Sequence, residues 1–375
     1  MDNVVKTEKN QILWLNTVKG FACWIVFLGH FYADYSYIPL LHKLYTNIPY
    51  FNVLKNGTFA LNVFYIISAF LVAGRYLESN DERIGKSVFK RYFRLAFPIF
   101  LMDVLCFILF KFGLLYGRIL EMDEINYTLW DVFRDSFYDA IFKGSRLFNP
   151  SLWMVGELFW GYCIAIMLSL IVKKMRLLNQ IVFLAGITTL LLFTESDYTT
   201  FAFGVLAYIM YSLVKRRETV FKAVIGFLII VWGVFTASYS VLIAYFFQTH
   251  FADTTLKFQW VQCWIAAILF MTGIIFCKPA RKIMDNKALA FLGKISFPVF
   301  ILHRVWECSL GEKAYEYCYA LNMRTTDGIK ASFIVTVFAT VVSALVYYFL
   351  IEPHLNKLTK LIIEAIFSEK RSKPQ

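Results

Sequence analysis

The stretch LWMVGELFWGYCIAIMLSLIV, residues 152–172, decides the fold. Its only charged side chain is Glu157, and the rest is apolar or weakly polar. A helix needs about 20 mainly apolar residues to cross the hydrocarbon core of a bilayer, because each residue adds only about 1.5 Å along the axis. This stretch therefore predicts a membrane-spanning helix.

Further runs of the same kind extend over the rest of the chain. Three are as long and as apolar, at residues 223–247, 258–277 and 331–351. Four are slightly short or carry a few charges, at 13–32, 59–74, 95–115 and 288–310. Two are weak, at 181–193 and 201–214, where a buried or interfacial helix is the alternative. We therefore predict an all-α integral membrane protein, a bundle of about ten transmembrane helices.

The composition excludes a water-soluble protein. Of 375 residues, 59% are hydrophobic and only 17% charged, against roughly 25% charged in soluble proteins. No internal repeat or appended soluble domain is visible, so residues 1–375 are predicted to form a single membrane-embedded domain with short tails at 1–11 and 361–375. The polar start of the chain, with no small-residue cleavage site after the first apolar run, predicts no cleavable signal peptide.

The net charge of +12 is distributed along the chain as topology requires. Lysines and arginines collect in alternate linkers, and such linkers face the cytoplasm. They lie at residues 75–94, 173–176, 215–222 and 278–287, and in both tails. This pattern predicts that both termini are cytoplasmic. We expect a multi-pass protein of the plasma (inner) membrane, with membrane lipids as partners and no binding of nucleic acid. The linker 117–150 is an exception, since its four basic residues are outnumbered by six acidic ones; we predict an outer segment with a short interfacial helix there.

The seven cysteines show no Cys-x-x-Cys spacing, so we expect no metal or redox centre. Cys308 and Cys318 are the one candidate pair for a disulfide in an outer loop.

The first predicted helix carries Lys19 and His30. Eleven residues separate them, which is about three turns and about 16 Å, so they lie on nearly the same face. With a cytoplasmic N-terminus, Lys19 is near the inner surface and His30 is in the outer half. Taken alone, Lys19 could be a snorkelling lysine and His30 a packed or interfacial histidine.

Arg91 and Arg94 open the third predicted helix at its cytoplasmic end. They are about one turn apart and share a face. An arginine pair can hold phosphates through charge-assisted, often bidentate hydrogen bonds, although arginines at this end are also ordinary topological signals.

Glu157 and His303 are predicted to lie at an outer depth similar to that of His30. Ionisable groups inside a span usually face a bundle interior or a wet cavity. A carboxylate near a histidine can orient the ring and stabilise its charged form, which suits removal of a proton from an acceptor hydroxyl. A proton-coupled transporter or flippase could use the same groups as a relay, and a non-catalytic scaffold or sensor is a third hypothesis.

Six segments, taken in order, resemble one known family. They are LNTVKGFACWIVFLGHF (15–31), ALNVFYIISAFL (60–71), RYFRLAFP (91–98), SLWMVGE (151–157), FLGKISFPVFILH (291–303) and YYFLIEP (347–353). Together they resemble the acyltransferase-3 family of multi-pass membrane acyltransferases, which commonly O-acetylate cell-surface sugars. This chain has Lys19 where the family usually has arginine, and Asn62 at or next to the family's aspartate.

The resemblance implies acyl-CoA, usually acetyl-CoA, as a co-substrate that enters from the cytoplasm, with no metal. It implies a catalytic role for His30, with Glu157 and His303 assisting, and donor binding by Lys19, Arg91 and Arg94. Ser68, which the family retains, and Asn62 are further candidates. The implied reaction is O-acyl transfer to a hydroxyl of a cell-surface or lipid-linked carbohydrate on the outer side.

Overall fold

The computed structural model describes residues 12–34, 51–78, 84–115, 127–240 and 258–367, together with the isolated helical positions 243, 245 and 249. Within these residues every secondary-structure element is helical. The α-helices are α1 Leu13–Asp34, α2 Gly57–Glu78, α3 Ile84–Lys111, α4 Leu129–Arg134, α5 Trp153–Lys173, α6 Leu177–Phe193, α7 Thr199–Arg216, α8 Val220–Ser238, α9 Phe258–Phe276, α10 Lys278–Met284, α11 Lys287–Lys294, α12 Ser296–Trp306, α13 Glu312–Ala320, α14 Thr325–Val346 and α15 Glu352–Ile366. Short 3₁₀ turns precede α2 and α5, at Phe51–Lys55 and Pro150–Leu152, and π-helical segments follow α4, α12 and α14, at Asp135–Lys143, Glu307–Gly311 and Tyr347–Ile351.

Several of these helices can cross a membrane by length and composition. Five qualify singly: Gly57–Glu78, Ile84–Lys111, Pro150–Lys173, Val220–Ser238 and Thr325–Ile366. The number rises to seven if two bent pairs each count as one span, namely α9 with α10 (bent by 93°) and α11 with the helix from Ser296 to Ala320 (57°). The protein is thus an all-helical, multi-pass membrane protein, as the sequence predicted.

The chain divides into two compact units. The first comprises Met1–Ser79 and Ile164–Phe300. Its centre is α2, which packs against α1, α7 and α9. Tyr65 of α2 stacks on Phe201 of α7 with ring centroids 4.6 Å apart, and Phe70 meets Tyr208 edge to face. A helix this apolar can be covered on all sides only by other helices or by lipid.

Helices α8 and α9 pack with their backbones in contact. A Cβ on Gly273 would lie 2.6 Å from the Ile230 nitrogen, and one on Gly233 would lie 2.7 Å from the Phe270 nitrogen. Only glycine permits this approach, which replaces side-chain packing by close backbone packing of the kind common in membranes.

The sharp bend between α9 and α10 is stabilised by one buried arginine. Pro279 occupies the first turn of α10, and the backbone leaves helical geometry at Cys277. Arg281 donates to the Ile274 carbonyl (3.1 Å) and to that of Ile275, near the end of α9, where a cation is favourable.

Glu218, in the linker between α7 and α8, joins this bend to its neighbours. It pairs with Arg281 at 2.5 Å and with Lys278 at 2.6 Å. Partial burial works against its ionisation, but the Lys278 hydrogen bond and the Arg281 charge outweigh it and hold the pKa of Glu218 below its ordinary value. Two of the basic linkers found in the sequence are therefore joined through one carboxylate.

The second unit comprises Asn80–Cys163 and Ile301–Gln375. Helix α3 packs against the Asp135–Lys143 segment and against α15. The predicted helix within 117–150 is present: Thr128 and Asp131 form a capping box at its start, and it exposes Trp130, Phe133 and Tyr138. Exposed aromatic side chains of this kind are typical of a membrane interface.

The structure of this unit differs from two sequence expectations. Cys308 and Cys318 are buried free thiols. They lie ten residues apart on a nearly continuous helical run, about 15 Å along the axis, which is too far for a disulfide. Helix α15 continues to Ile366 with Ile363 buried, so the segment predicted as a tail from residue 361 begins as helix.

Candidate functional site

In the first unit, Lys19 and His30 lie on the single continuous helix α1. Both are partly buried. Cys23, one turn after Lys19, is buried. Because α1 is unbroken between Lys19 and His30, both side chains project from nearly one face, as helical geometry requires.

The segment around Lys19 packs against the start of the family segment FLGKISFPVFILH (291–303). A Cβ on Gly20 would lie 2.7 Å from the Leu292 Cβ, and Gly293 lies against the Asn16 backbone. The Cys23 thiol donates to the Ser296 carbonyl at 3.1 Å. Two motifs recognised separately in the sequence are thus one packed element, in which glycines let the helices touch.

The segment around His30 packs against the chain that leads into α2. A Cβ on Gly29 would lie 2.8 Å from the Lys55 carbonyl oxygen, and the Lys55 ammonium lies 4.5 Å above the Tyr32 ring. Asn56 caps α2 by accepting from the Phe59 amide at 2.9 Å and donates to the Ala237 carbonyl of α8 at 2.8 Å. Asn56 therefore fixes the backbone beside His30.

Of the two further candidates on α2, Asn62 is engaged in helix packing. It is buried, donates to the Thr58 carbonyl at 2.8 Å and accepts from the Thr200 hydroxyl of α7 at 3.0 Å. This bond joins α2 to α7 and explains an amide at this position. Ser68 is half-buried on the same helix.

In the second unit, Arg91 and Arg94 occupy different environments on α3. The Arg91 guanidinium lies 5.4 Å above the ring of Tyr162, and its Nε atom is buried with no hydrogen-bond partner within the described residues. Arg94 is exposed. Between them, Tyr92 donates to the Phe137 carbonyl at 2.7 Å and fixes α3 against the Asp135–Lys143 segment.

Asn149 links the start of α5 to α12. It accepts from the Ser151 amide at 2.9 Å and donates to the Ile301 carbonyl at 2.7 Å, and it is only 1% exposed. The segment leading to Glu157 is therefore tied to α12 two residues before His303.

Glu157 and His303 both belong to the second unit. Glu157 is partly buried in α5, whereas His303 is 1% exposed in α12. The predicted residues thus divide between the units: Lys19, His30, Asn62 and Ser68 lie in the first, and Arg91, Arg94, Glu157 and His303 in the second.

The model of an acyltransferase domain, that of the acyltransferase-3 family, matches residues 12–352 of the chain. The chain belongs to the acyltransferase-3 family. The resemblance found in the sequence is thereby confirmed over nearly the whole length, and it supports acyltransferase activity in a multi-pass membrane protein. No curated protein and no solved structure matches the chain.

Sequence reasoning missed a buried carboxyl pair in this acyltransferase-3 protein. Asp103 of α3 and Asp135 are both buried. The Ser136 hydroxyl lies 2.6 Å from Asp103 Oδ2 and 2.7 Å from the Val132 carbonyl oxygen. Burial raises the pKa of Asp135, which lies outside the candidate spans.

A second missed feature follows His303 directly. Arg304 forms an ion pair with Glu307 at 2.9 Å, and both side chains are buried. The sequence did contain a signal, since arginine and glutamate three residues apart inside an apolar run are placed to pair on a helix. Elsewhere, no group of three or more histidine, cysteine or acidic side chains within the described ranges is placed to hold a metal ion.

Proposed function

We propose that this protein moves an acyl group, taken to be acetyl, from cytoplasmic acyl-CoA to a hydroxyl of a cell-surface or lipid-linked carbohydrate on the outer side of the plasma membrane. The observation that carries the proposal is the unbroken helix α1, which holds a partly buried lysine and a partly buried histidine on nearly one face about 16 Å apart. That spacing lets the charged and the acyl ends of one extended donor contact the same helix.

The donor's phosphates would bind to Lys19, Arg91 and Arg94. A guanidinium whose Nε is buried, such as that of Arg91, is already partly desolvated and keeps donor capacity for an anion. The basic linkers support a cytoplasmic position for these residues, in the proposed topology of about ten spans with both termini inside.

His30 would act as the general base. It takes the proton of the acceptor hydroxyl while the acceptor oxygen attacks the thioester carbonyl; the C–S bond breaks, and the CoA thiolate leaves and receives the proton. In a two-step variant the imidazole attacks the thioester carbonyl, the C–S bond breaks, and CoA leaves with the ring proton; the acceptor oxygen then takes the acyl group and its proton returns to the ring. Glu157 and His303 would orient or assist.

Purified protein with labelled acetyl-CoA and a carbohydrate acceptor fraction tests the proposal. We expect CoA release and a labelled acceptor with the wild type, and loss of both in His30→Ala at unchanged membrane yield. His354→Ala is the matched control, because His354 is exposed on α15 and bonds locally, to the Leu350 carbonyl. Full activity of His30→Ala would refute the mechanism, and solute uptake by liposomes without CoA release would identify a carrier instead.

A further inference from the structure

A ring contact joins α3 to α5 at one of the residues proposed to bind the donor. The Arg91 guanidinium lies 5.4 Å from the centroid of the Tyr162 ring, inside the distance of about 6 Å at which a cation is attracted to a ring face. Both side chains are partly buried, and the attraction is stronger where water is excluded. The contact therefore restrains the Arg91 side chain.

Arg91 has no counter-ion in the part of the chain that the structure describes. The ion pairs found there join other residues, and the Arg91 Nε atom is buried without a hydrogen-bond partner. A charge removed from water is costly unless it is paired. A guanidinium with a ring beside it and no carboxylate is therefore suited to bind an anion from outside the protein.

The ring restrains Arg91 without occupying its hydrogen-bond donors. A guanidinium has five N–H groups in a fixed, planar fork. A carboxylate partner would engage two of them in a bidentate pair, whereas a ring face attracts the positive charge as a whole. The N–H groups therefore stay available for a phosphate, and the unpartnered Nε is one of these donors.

Packing next to the pair fixes the distance between α3 and α5. Tyr92, the neighbour of Arg91, meets Phe159 edge to face with ring centroids 6.3 Å apart, and Phe159 lies about one turn before Tyr162. Tyr92 also donates to the Phe137 carbonyl at 2.7 Å. Arg91 and Tyr162 therefore face each other from two packed helices, which is the support that a preorganised binding group needs.

Arg94, one turn further along α3, has different surroundings. Its side chain is exposed, and an ion pair formed in contact with water contributes little, because water screens the charges and the side chain must be ordered. A phosphate should therefore be bound more strongly by Arg91 than by Arg94.

We propose that Tyr162 is a positioning residue, whose ring holds the Arg91 guanidinium in place for the phosphates of the acyl donor. The inference rests on the proposed function, in which Arg91 binds these phosphates, and adds the residue that keeps Arg91 ready for them. Tyr162 acts through Arg91 and does not itself touch the donor. The ring should therefore matter for donors that carry phosphates and not for donors that lack them.

Binding of CoA to the purified full-length protein in neutral detergent tests the inference without turnover. Tyr162→Leu should raise the Kd of CoA about five- to tenfold, as expected for loss of a partly desolvated cation–π contact. Tyr162→Phe keeps the ring face and should bind CoA like the wild type. An unchanged Kd in Tyr162→Leu, or equal losses in both variants, would overturn the proposal.

A double-mutant cycle shows whether Tyr162 acts through Arg91. Arg91→Gln should raise the Kd of CoA more than Arg94→Gln does. In the Arg91→Gln background, Tyr162→Leu should cause no further loss, because coupled residues are not additive. Additive losses would show that the ring acts independently of Arg91 and would overturn the proposal.

Fluorination separates the charge distribution of the ring from its size. Tyr162→Phe with one, two or three fluorines on the introduced ring nearly keeps the shape of the side chain but progressively withdraws negative charge from the ring face, which is what attracts the cation. The Kd of CoA should rise with each added fluorine. These variants serve if Tyr162→Leu fails to fold, and a Kd independent of fluorination would contradict the proposal.

The second unit offers a matched control for the loss of a ring. The Lys143 ammonium lies 5.0 Å from the centroid of the Tyr138 ring, and both side chains are exposed. Tyr138→Leu removes this contact and should leave the Kd of CoA unchanged. An equal loss in Tyr138→Leu and Tyr162→Leu would show a general effect of removing a tyrosine and would overturn the assignment to Tyr162.

The phosphate of an anionic lipid has the same chemistry as that of the donor, so the two are measured separately. Phosphatidylglycerol retained by the purified protein is quantified by mass spectrometry in the wild type and in Tyr162→Leu. We expect equal retention. Lower retention with an unchanged Kd for CoA would assign Arg91 to a lipid headgroup and overturn the proposal.

Turnover gives an independent readout. Tyr162→Leu should raise KM for acetyl-CoA and leave kcat unchanged, as expected when binding shared by substrate and transition state is lost. Both proteins should use S-acetylpantetheine, which lacks the phosphates, equally well; a KM raised for both donors would contradict the proposal. Wild-type protein that binds CoA through Arg91 and Tyr162 but transfers no acyl group would refute the proposed function alone.

Discussion

Asn149→Ala should loosen the attachment of α5 to α12. The substitution removes the cap that the side chain gives to the Ser151 amide (2.9 Å) and the donation to the Ile301 carbonyl (2.7 Å). A helix cap contributes about 1 kcal/mol, and a buried hydrogen bond whose partner is left behind costs about 1–3 kcal/mol. We therefore expect a loss of about 2–4 kcal/mol in the free energy of unfolding.

Equilibrium unfolding by SDS in mixed micelles measures this loss. Asn286→Ala is the matched control: Asn286 also caps a helix, accepting from the amides of Ala288 and Leu289 at 2.8 and 3.2 Å, but it is exposed. Its loss should be about 1 kcal/mol, so the difference isolates the bond to α12. Acyl transfer should fall in Asn149→Ala through kcat, because His303 follows Ile301 by two residues.

Asn149→Asp separates the two bonds. The aspartate keeps the cap but loses the donor and places a carboxylate against the Ile301 carbonyl, so it should destabilise at least as much as alanine. The reasoning would be refuted if Asn149→Ala cost no more than Asn286→Ala, or if Asn149→Asp unfolded like the wild type.

Four further variants test stability, the first three by the same SDS unfolding and the fourth by recovery of folded protein. Burial raises the pKa of Asp135 above its ordinary value, so the native state loses stability as pH rises through the raised pKa. Asp135→Asn should therefore stabilise the protein at pH 8 and lose this gain towards pH 4. Hydrogen bonds from Thr128 lower the pKa of Asp131, so Asp131→Asn should destabilise the protein at pH 8, and the loss should fade on acidification. If both substitutions changed the free energy of unfolding in the same direction at pH 8, the two pKa directions would be wrong. Glu218→Gln should cost about 2–4 kcal/mol, since it leaves buried Arg281 without its carboxylate, and a neutral result would show that the pair is dispensable. Gly273→Val should abolish recovery of folded protein by size exclusion, because α8 and α9 touch through their backbones there; normal recovery would refute that packing.

The sequence predicted the helices well where apolar length alone decides. Its runs at 59–74, 152–172 and 331–351 all lie inside helices that can span a membrane. The boundaries were less predictable, because hydropathy registers only the part of a helix that meets hydrocarbon. Helix α3 begins at Ile84, well before the apolar run at 95, since its basic first turns remain helical. The run at 288–310 bends at Ile295, between α11 and α12.

The sequence could indicate candidate site residues only where an ionisable side chain interrupts an apolar run. His30, Glu157 and His303 were chosen as candidates in this way, and their roles stay predictions. Asn149 and Asn56 were missed as connecting residues, because their bonds reach across 152 and 181 positions of sequence and leave no local pattern. Asp103 was missed, since only folding brings Ser136 and Asp135 to it.

Transfer across the membrane is the most direct test of the central claim. Sealed vesicles of known orientation, containing the protein and a carbohydrate acceptor enclosed on the outer-face side, would receive labelled acetyl-CoA on the cytoplasmic face alone. We predict that label appears on the enclosed acceptor with the wild type and not with His30→Ala, while acetyl-CoA itself stays on its own side. Label confined to the cytoplasmic face, or transferred equally by His30→Ala, would contradict the account.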